Sequence, residues 1–514
     1  MRFVRAIAMA SVLSSPAVPA DAQPQPFHLE EATIASIHAA FVSGSLTCAQ
    51  LTRLYLARIE AYNLKGPALH AVITVNPQAL QTAADMDRGA YPGPLHCVPI
   101  VLKDNFNTKD MPTTGGNVSM KNSVPPEDAF VVDRMRRAGA LILAKANMQE
   151  FARGGMSISS LGGQVLNPYD LIRTPGGSSG GTGASVAANL AAIGTGSDTG
   201  QSIRSPASAN NLVGVRPTRG LVSRRGVIPA SQTQDEVGPI ARTVKDAALL
   251  LDVMAGYDSR DSVTAYGRGH IPDSYTAGLK PDVLKGARIG VMTNLAGTEA
   301  RHEPVNAVMR AAIAKMESLG ATIIRFQLPE YDALAPNMDT STLEGRTVMD
   351  AYFATLGPNA PVKSFAQLVA AKTSAVQKTL EGELAISDGM NSDQYKTRML
   401  NREKLRIIVA GAMADRNLDA ILYPQQRILV APVTAADQLE RNGTLSNGTG
   451  YPAVTFPAGF SAPSASAPLG VPVGAEFLGL DFSESRLLAY AYAFEQATHW
   501  RKPPKSTPPL SAEP

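Results

Sequence analysis

Two glycine- and serine-rich clusters, TPGGSSGGTGAS (174–185) and GSDTGQSIRSPAS (196–208), flank the compact run VAANLAAIGT. Residues this small let a backbone pass close to another backbone or to a ligand. A flexible linker would not continue into so compact an apolar run, so the segment reads as a built loop. The first cluster satisfies G-x-S-x-G with Ser178 or Ser179 at its centre. A nucleophile elbow, however, needs a strand directly before it and an acid and a histidine after it. The preceding NPYDLIRTP is a poor strand and an HGGG-type loop is missing, although His270, His302 and His499 are available as bases.

Around this block the chain alternates. Short apolar runs VPIVL (98–102), ALILA (140–144) and NLAAIGTGS (189–197) are interleaved with glycine-rich turns and helical stretches, an α/β pattern. ARIGVM, VNAVMRAAIAKMESLG and TIIRF (287–326) make a βαβ unit. Before the block, Ile34, Ile37 and Phe41 share one helical face that ends at Gly44. A second helix starts at Thr47 with a capping box to Gln50 and turns Leu51, Leu54, Tyr55 and Ile59 inward. The expected organisation is a helical N-terminal layer (23–98), a core (99–265), a more helical variable region on the substrate side (266–419), the C-terminal part of the core (420–503) and a flexible proline-rich tail (504–514).

Composition narrows the function classes. With 44% hydrophobic and 18% charged residues the chain is globular, and a net charge of +3 without basic–aromatic runs gives no reason to expect a nucleic-acid partner. Arg2 and Arg5, an apolar run from Ala6 to Leu13 and an A-x-A at Ala20 and Ala22 read as a secretory signal (1–22) cleaved near Ala22. The expected product is exported, periplasmic or secreted, and without a membrane anchor, since no later apolar run reaches about 18 residues. The two cysteines, Cys48 and Cys97, either pair or stay buried as thiols, and the sequence leaves both open. Seven histidines scattered singly argue against a metal site.

LHCVPIVLKDNFNT, the segment from RTPGGSSGG to DVMAG, and GYPAVTFPAGF together resemble the amidase signature family of serine hydrolases, over roughly 30–260 and 420–500. That resemblance implies an α/β/α sandwich around a large mixed sheet and a Ser/cis-Ser/Lys triad without cofactor or metal. Position by position it assigns the nucleophile to Ser202, the bridging serine to Ser178, preceded by a cis peptide from Gly177, and the base to Lys103. The oxyanion donors would be the backbone N–H groups of Thr199, Gly200, Gln201 and Ser202, with Met156 and Ser157 at the acyl pocket. Lys103 works as a base only when neutral. Holding a lysine half-deprotonated near pH 7 takes about 3.4 pKa units, or about 4.6 kcal/mol, and burial at the end of an apolar strand can supply it.

Two positions depart from the family pattern. Gln201 and Cys97 stand where the family usually has glycine; a positive φ would strain the glutamine, and Cys97 reads as a packing residue near Lys103. Asp198 and Arg204 are expected to fix the loop, Ser179 and Ser205 to form loops and caps, and Lys145 is a rival base that the family match places away from the triad. The implied activity is hydrolysis of a carboxylic amide, with a peptide C-terminal amide as leading substrate, in a monomer or homodimer. The alternatives are an aryl or fatty amide as substrate, an esterase or carbamate hydrolase, an amidotransferase subunit, or a catalytically dead binding protein on the same scaffold, which the filled triad positions disfavour.

Overall fold

Thr47 opens the helix Cys48–Tyr62 through the expected capping box: its side chain accepts from Gln50 N while Gln50 accepts from Thr47 N. The structure, a computed structural model, describes residues 27–89, 93–511 and 513; the expected signal segment lies outside them. Among the described residues no helix is long and apolar enough to cross a membrane.

Among the described residues thirteen strands form in chain order. They are β1 (Val72–Val75), β2 (Pro99–Lys103), β3 (Leu141–Ala146), β4 (Ile158–Ser159), β5 (Gly163–Gln164), β6 (Ile193–Asp198) and β7 (Val213–Arg216), followed by β8 (Glu236–Ala241), β9 (Arg288–Met292), β10 (Thr322–Phe326), β11 (Ala420–Pro424), β12 (Ala453–Phe460) and β13 (Pro472–Leu478). β4 and β5 pair with each other, and the other eleven make one mixed sheet ordered β1-β3-β2-β6-β8-β7-β12-β13-β11-β9-β10. β2 lies parallel to both β3 and β6, and β6 antiparallel to β8. All residues of β2, β3, β6 and β8 are buried, as expected where helices cover a sheet on both faces. The expected βαβ unit is β9, the helix Glu303–Ser318 and β10, with its strands parallel.

Glycines of the opening block let the helix Gly180–Ala187 and its leading loop sit close against their surroundings. A Cβ on Gly177 would lie 2.7 Å from Gly155 O, and one on Gly196 would lie 2.9 Å from Ile203 Cγ1 and 3.0 Å from Ser179 Oγ.

Three expectations are corrected. The N-terminal layer is not purely helical, because β1 joins the sheet as its edge strand against β3; with four residues, VITV carries too little pattern to stand out. The tail is docked rather than flexible. Buried Arg58 pairs with Glu513 (2.8 Å) and donates to Thr507 O, and Tyr62 Oη donates to Pro508 O.

Third, Cys97 is not a free packing residue. It forms a disulfide with Cys48 (Cα–Cα 5.7 Å), tying the start of the helix Cys48–Tyr62 to the approach to β2. Its φ of 52° lies in the left-handed region, in keeping with a position usually held by glycine. The bridge closes a loop across 49 positions, and chain-entropy reasoning gives about 4 kcal/mol for that length. Cys97→Ser is therefore expected to lower the unfolding free energy in denaturant by roughly that amount, and a reducing agent should lower the wild type, but not the variant.

Candidate active site

Lys103 ends β2 and is fully buried. Its Nζ lies 2.7 Å from Ser178 Oγ, 2.8 Å from Ser197 Oγ and 3.2 Å from Ser197 O. Asn105 Nδ2 also donates to Ser197 Oγ, at 2.9 Å. Among the described residues Lys103 has no ion pair. Burial lowers its pKa from 10.5 to about 7, against the opposing pull of the Asp198 and Asp235 charges.

The Gly177–Ser178 peptide is cis. Ser178 is fully buried, and its carbonyl accepts from Gln149 N at 3.0 Å. The next residue, Ser179, donates from its backbone N to Ser202 O at 3.2 Å, which sets the two serine segments side by side. No hydrogen bond joins the Ser178 and Ser202 hydroxyls among the described residues. Ser202 is 6% exposed, whereas Ser178 and Lys103 are at 0%, so Ser202 is the one of the three that solvent reaches.

Ser202 opens onto a cavity of about 450 Å³ that Thr199, Gly200 and Gln201 also line. The backbone N–H groups of residues 199–202 donate in none of the described hydrogen bonds, while Ile203 N is taken by Asp198 Oδ2 (3.0 Å). Preorganised donors facing a cavity can stabilise an oxyanion. Gln201 is not among the described non-glycine residues with positive φ, so glutamine carries no left-handed strain here. Its side chain lies between Gln425 and Arg441. In the amide orientation that satisfies Arg441, its Oε1 accepts from Arg441 Nε (2.6 Å) and Nη1 (2.8 Å), and the Gln425 amide turns with it to present its oxygen.

The loop is fixed from behind by a buried ion network. Arg204 Nε lies 3.1 Å from Asp198 Oδ2, Arg216 Nη1 2.8 Å from Asp198 Oδ1, and Arg204 Nη1 3.1 Å from Glu476 Oε2. Arg204 Nη2 also donates to Gly200 O (2.6 Å), and Asn447 Nδ2 reaches the same carbonyl (3.0 Å). Burial works to raise the Asp198 pKa, but the two guanidiniums outweigh it and hold the carboxyl at about 2. Asp198→Asn leaves both guanidiniums short of charge; the expected cost is about 3–5 kcal/mol of stability, read from denaturant unfolding.

Of the other residues singled out in the sequence, Lys145 is tied to Asp104 (3.1 Å) and Thr113 Oγ1 (2.8 Å), with no hydrogen bond to either serine. Met156 lines a second cavity of about 670 Å³, which shares Ala152, Gly154, Thr199, Ser341 and Asp437 with the first. Ser157, expected beside Met156 at the pocket, is instead fully buried. It donates to Gly176 O (2.7 Å) and accepts from Gly180 N (3.1 Å), supporting the glycine loop. Ser179 takes the N-cap position of Gly180–Ala187 without a side-chain capping bond, and Ser205 lies inside the helix Arg204–Ala209.

The elbow reading fails on placement. The described residues from 165 to 177 form no strand leading into Ser178. His270 stacks on Phe482, His302 bonds Glu440 (2.6 Å), and His499 ends the helix Glu484–Thr498. Ser197 and Asn105 escaped the sequence reading although each sits close to a motif residue, because only the fold turns Ser197 onto the amine and Asn105 onto Ser197.

Comparison with known proteins gives the family. The Amidase family model matches residues 50–488. The chain is 37% identical to a "Probable amidase" of Arabidopsis thaliana, over 93% of this chain and 92% of that one. It is 34% identical to a glutamyl-tRNA(Gln) amidotransferase subunit from a Synechococcus strain, over 93% and 94%. Native peptide amidase from Stenotrophomonas maltophilia superposes with a TM-score of 0.84 at 35% identity, covering 94% of this chain and 100% of that one. The mixed eleven-stranded sheet, the block from 174 to 208 and the family match converge, and the chain is an amidohydrolase belonging to the amidase family.

Proposed function

We propose that the protein hydrolyses a linear carboxylic amide with Ser202 as nucleophile, Ser178 as proton bridge and Lys103 as base, and that a peptide C-terminal amide is its substrate class. The observation carrying this reading is the buried Lys103 amine, 2.7 Å from Ser178 Oγ and without an ion pair among the described residues. A neutral amine has two N–H donors and one lone pair. Ser197 O and Oγ can accept the two donors, which leaves the lone pair to take the Ser178 proton.

Ser202 Oγ then attacks the carbonyl carbon and passes its proton to Ser178 Oγ as the Ser178 proton moves to Lys103. The N–H groups of residues 199–202 receive the oxyanion. Return of the proton through Ser178 to the leaving nitrogen expels the amine or ammonia, and water cleaves the acyl-enzyme by the same relay. The segments of Ser178 and Ser202 lie side by side, joined by Ser179 N donating to Ser202 O at 3.2 Å, and the two hydroxyls are expected to meet as the carbonyl is engaged.

Polar residues such as Gln201, Gln234, Gln438 and Arg441 line the Ser202 cavity, which favours a peptide over a long alkyl chain. The test is product release from a peptide C-terminal amide, an anilide, a long-chain amide and an aryl ester, with Ser202→Ala as the blank. Release of ammonia from the peptide amide by the wild type alone is expected. Preference for the anilide or the ester would reassign the substrate class, to aryl amides or to esters and carbamates.

Identity to amidotransferase subunits over most of the chain supports a second reading, in which the protein passes ammonia to a partner. The N-terminal signal pattern weighs against it, and we propose export with cleavage near Ala22, which suits a Cys48–Cys97 disulfide. A stable cytosolic complex containing the chain would favour the amidotransferase reading.

A further inference from the structure

A cavity of about 550 Å³ lies across the short helix Thr444–Thr449 from the Ser202 cavity: Gly448 and Thr449 line it, and Asn447 lines the Ser202 cavity. Three arginines line it, Arg219 after β7 and Arg402 and Arg406 one turn apart on the helix Asp393–Asp415. Two carboxylates share the cavity, and Arg406 engages both, Asp481 at 2.6 Å and Glu403 at 3.9 Å. Arg219 and Arg402 have no ion pair among the described residues.

Carbonyls orient these two guanidiniums without matching their charge. Arg402, only 7% exposed, donates from Nη2 to Asn447 O (2.7 Å) and Thr233 O (3.3 Å), and its Nη1 has no partner. Arg219 donates from Nη2 to Gln232 O (3.3 Å), and its Nε has no partner. Burial and the neighbouring Arg216 and Arg219 charges pull the Arg402 pKa down to about 10. The nearby carboxylate Glu344 is already engaged by Ser231, Thr233 and Tyr395. Glu344 and Asp339 act on Arg402 through space but neither forms a salt bridge with it, and a buried guanidinium left in that state calls for a closer anion. The stacked rings of His270 and Phe482 (4.1 Å) add a flat apolar wall to the same cavity.

We propose that this cavity is a second ligand site, binding a small oxyanion, a carboxylate or a phosphate, between Arg219 and Arg402. Charge-assisted bonds from the two guanidiniums hold the oxygens, and the ring wall takes the body of an organic carboxylate. Arg402 and the Gly200 carbonyl are both partners of Asn447, so the site adjoins the nucleophile loop without sharing a residue with the proposed proton relay.

The test is a melting-temperature titration of the full chain with inorganic phosphate and, separately, with benzoate, at ionic strength held constant with sodium chloride. Saturable stabilisation by at least one is expected, with the apparent affinity falling at least about tenfold in Arg219→Met. Saturation by benzoate alone would mark an organic carboxylate as the ligand, and by phosphate alone a phosphate. Arg219→Glu, which brings its own carboxylate to Arg402, is expected to melt higher than Arg219→Met without added anion and to respond to neither ligand. No saturable stabilisation, or an equal response in wild type and Arg219→Met, would overturn the proposal; the latter would place the anion elsewhere, including the Ser202 cavity.

Discussion

Ser202→Ala is expected to lower kcat for amide hydrolysis by at least about 10⁴-fold, and Ser178→Ala and Lys103→Met to come within about tenfold of that loss. Residues that act as one relay are not additive, so the Ser178→Ala/Lys103→Met double variant should be no worse than the poorer single one by more than a small factor. The structure supplies the reason. Lys103 Nζ meets Ser178 Oγ at 2.7 Å in a site with no exposure, so water cannot stand in for the missing amine without first entering. Folding is not the confounder, since Ser202 faces a cavity and its alanine variant removes one partly solvated hydroxyl. Single-turnover kinetics on the substrate released fastest in the panel give the measurement.

The second large effect is on pH. Burial sets Lys103 at about 7, and the base is active when neutral, so kcat/KM should rise about tenfold per pH unit below 7 and level off above it. Lys103→Arg, charged at every accessible pH, should show no such limb. Stability must follow with a definite sign. The folded pKa lies below the unfolded value of 10.5, so between pH 7 and 10.5 the unfolded chain binds more protons and stability rises with pH. Between pH 7 and 9 the gain attributable to this lysine is about 2 kcal/mol. Denaturant unfolding of wild type against Lys103→Met at these two pH values isolates it: the wild type should gain relative to the variant, and parallel curves would mean that the amine is not buried neutral.

What could be read from the sequence followed the range of the interactions. The Thr47–Gln50 capping box spans three positions and is formed as read. VPIVL announced an interior strand by its unbroken apolar run, and that alone placed Lys103 where its charge would be costly. Asp198 and Arg204 were read correctly as loop-fixing because they lie six residues apart. The contacts that escaped are long-range. Glu513 reaches Arg58 across 455 positions, so a proline-rich tail looked free when its carbonyls were already promised to a buried guanidinium. Gln201 looked like a strained substitute for glycine, yet the loop keeps it out of the left-handed region, and Gln425 and Arg441, contributed by a distant segment, receive its side chain. Ser157 was misplaced for a related reason. Its position next to Met156 suggested a shared pocket, but a φ of 57° turns the local chain so that its hydroxyl serves the glycine loop.

The most direct test of the relay is the rate at which a fluorophosphonate labels the protein as a function of pH, with the modified residue located by mass spectrometry. The expected result is one adduct per chain on Ser202, forming with an apparent pKa near 7 and slowed at least about 10³-fold in Lys103→Met. Labelling of another residue, or labelling of Ser202 at an undiminished rate in Lys103→Met, would contradict the assignment of Lys103 as the base.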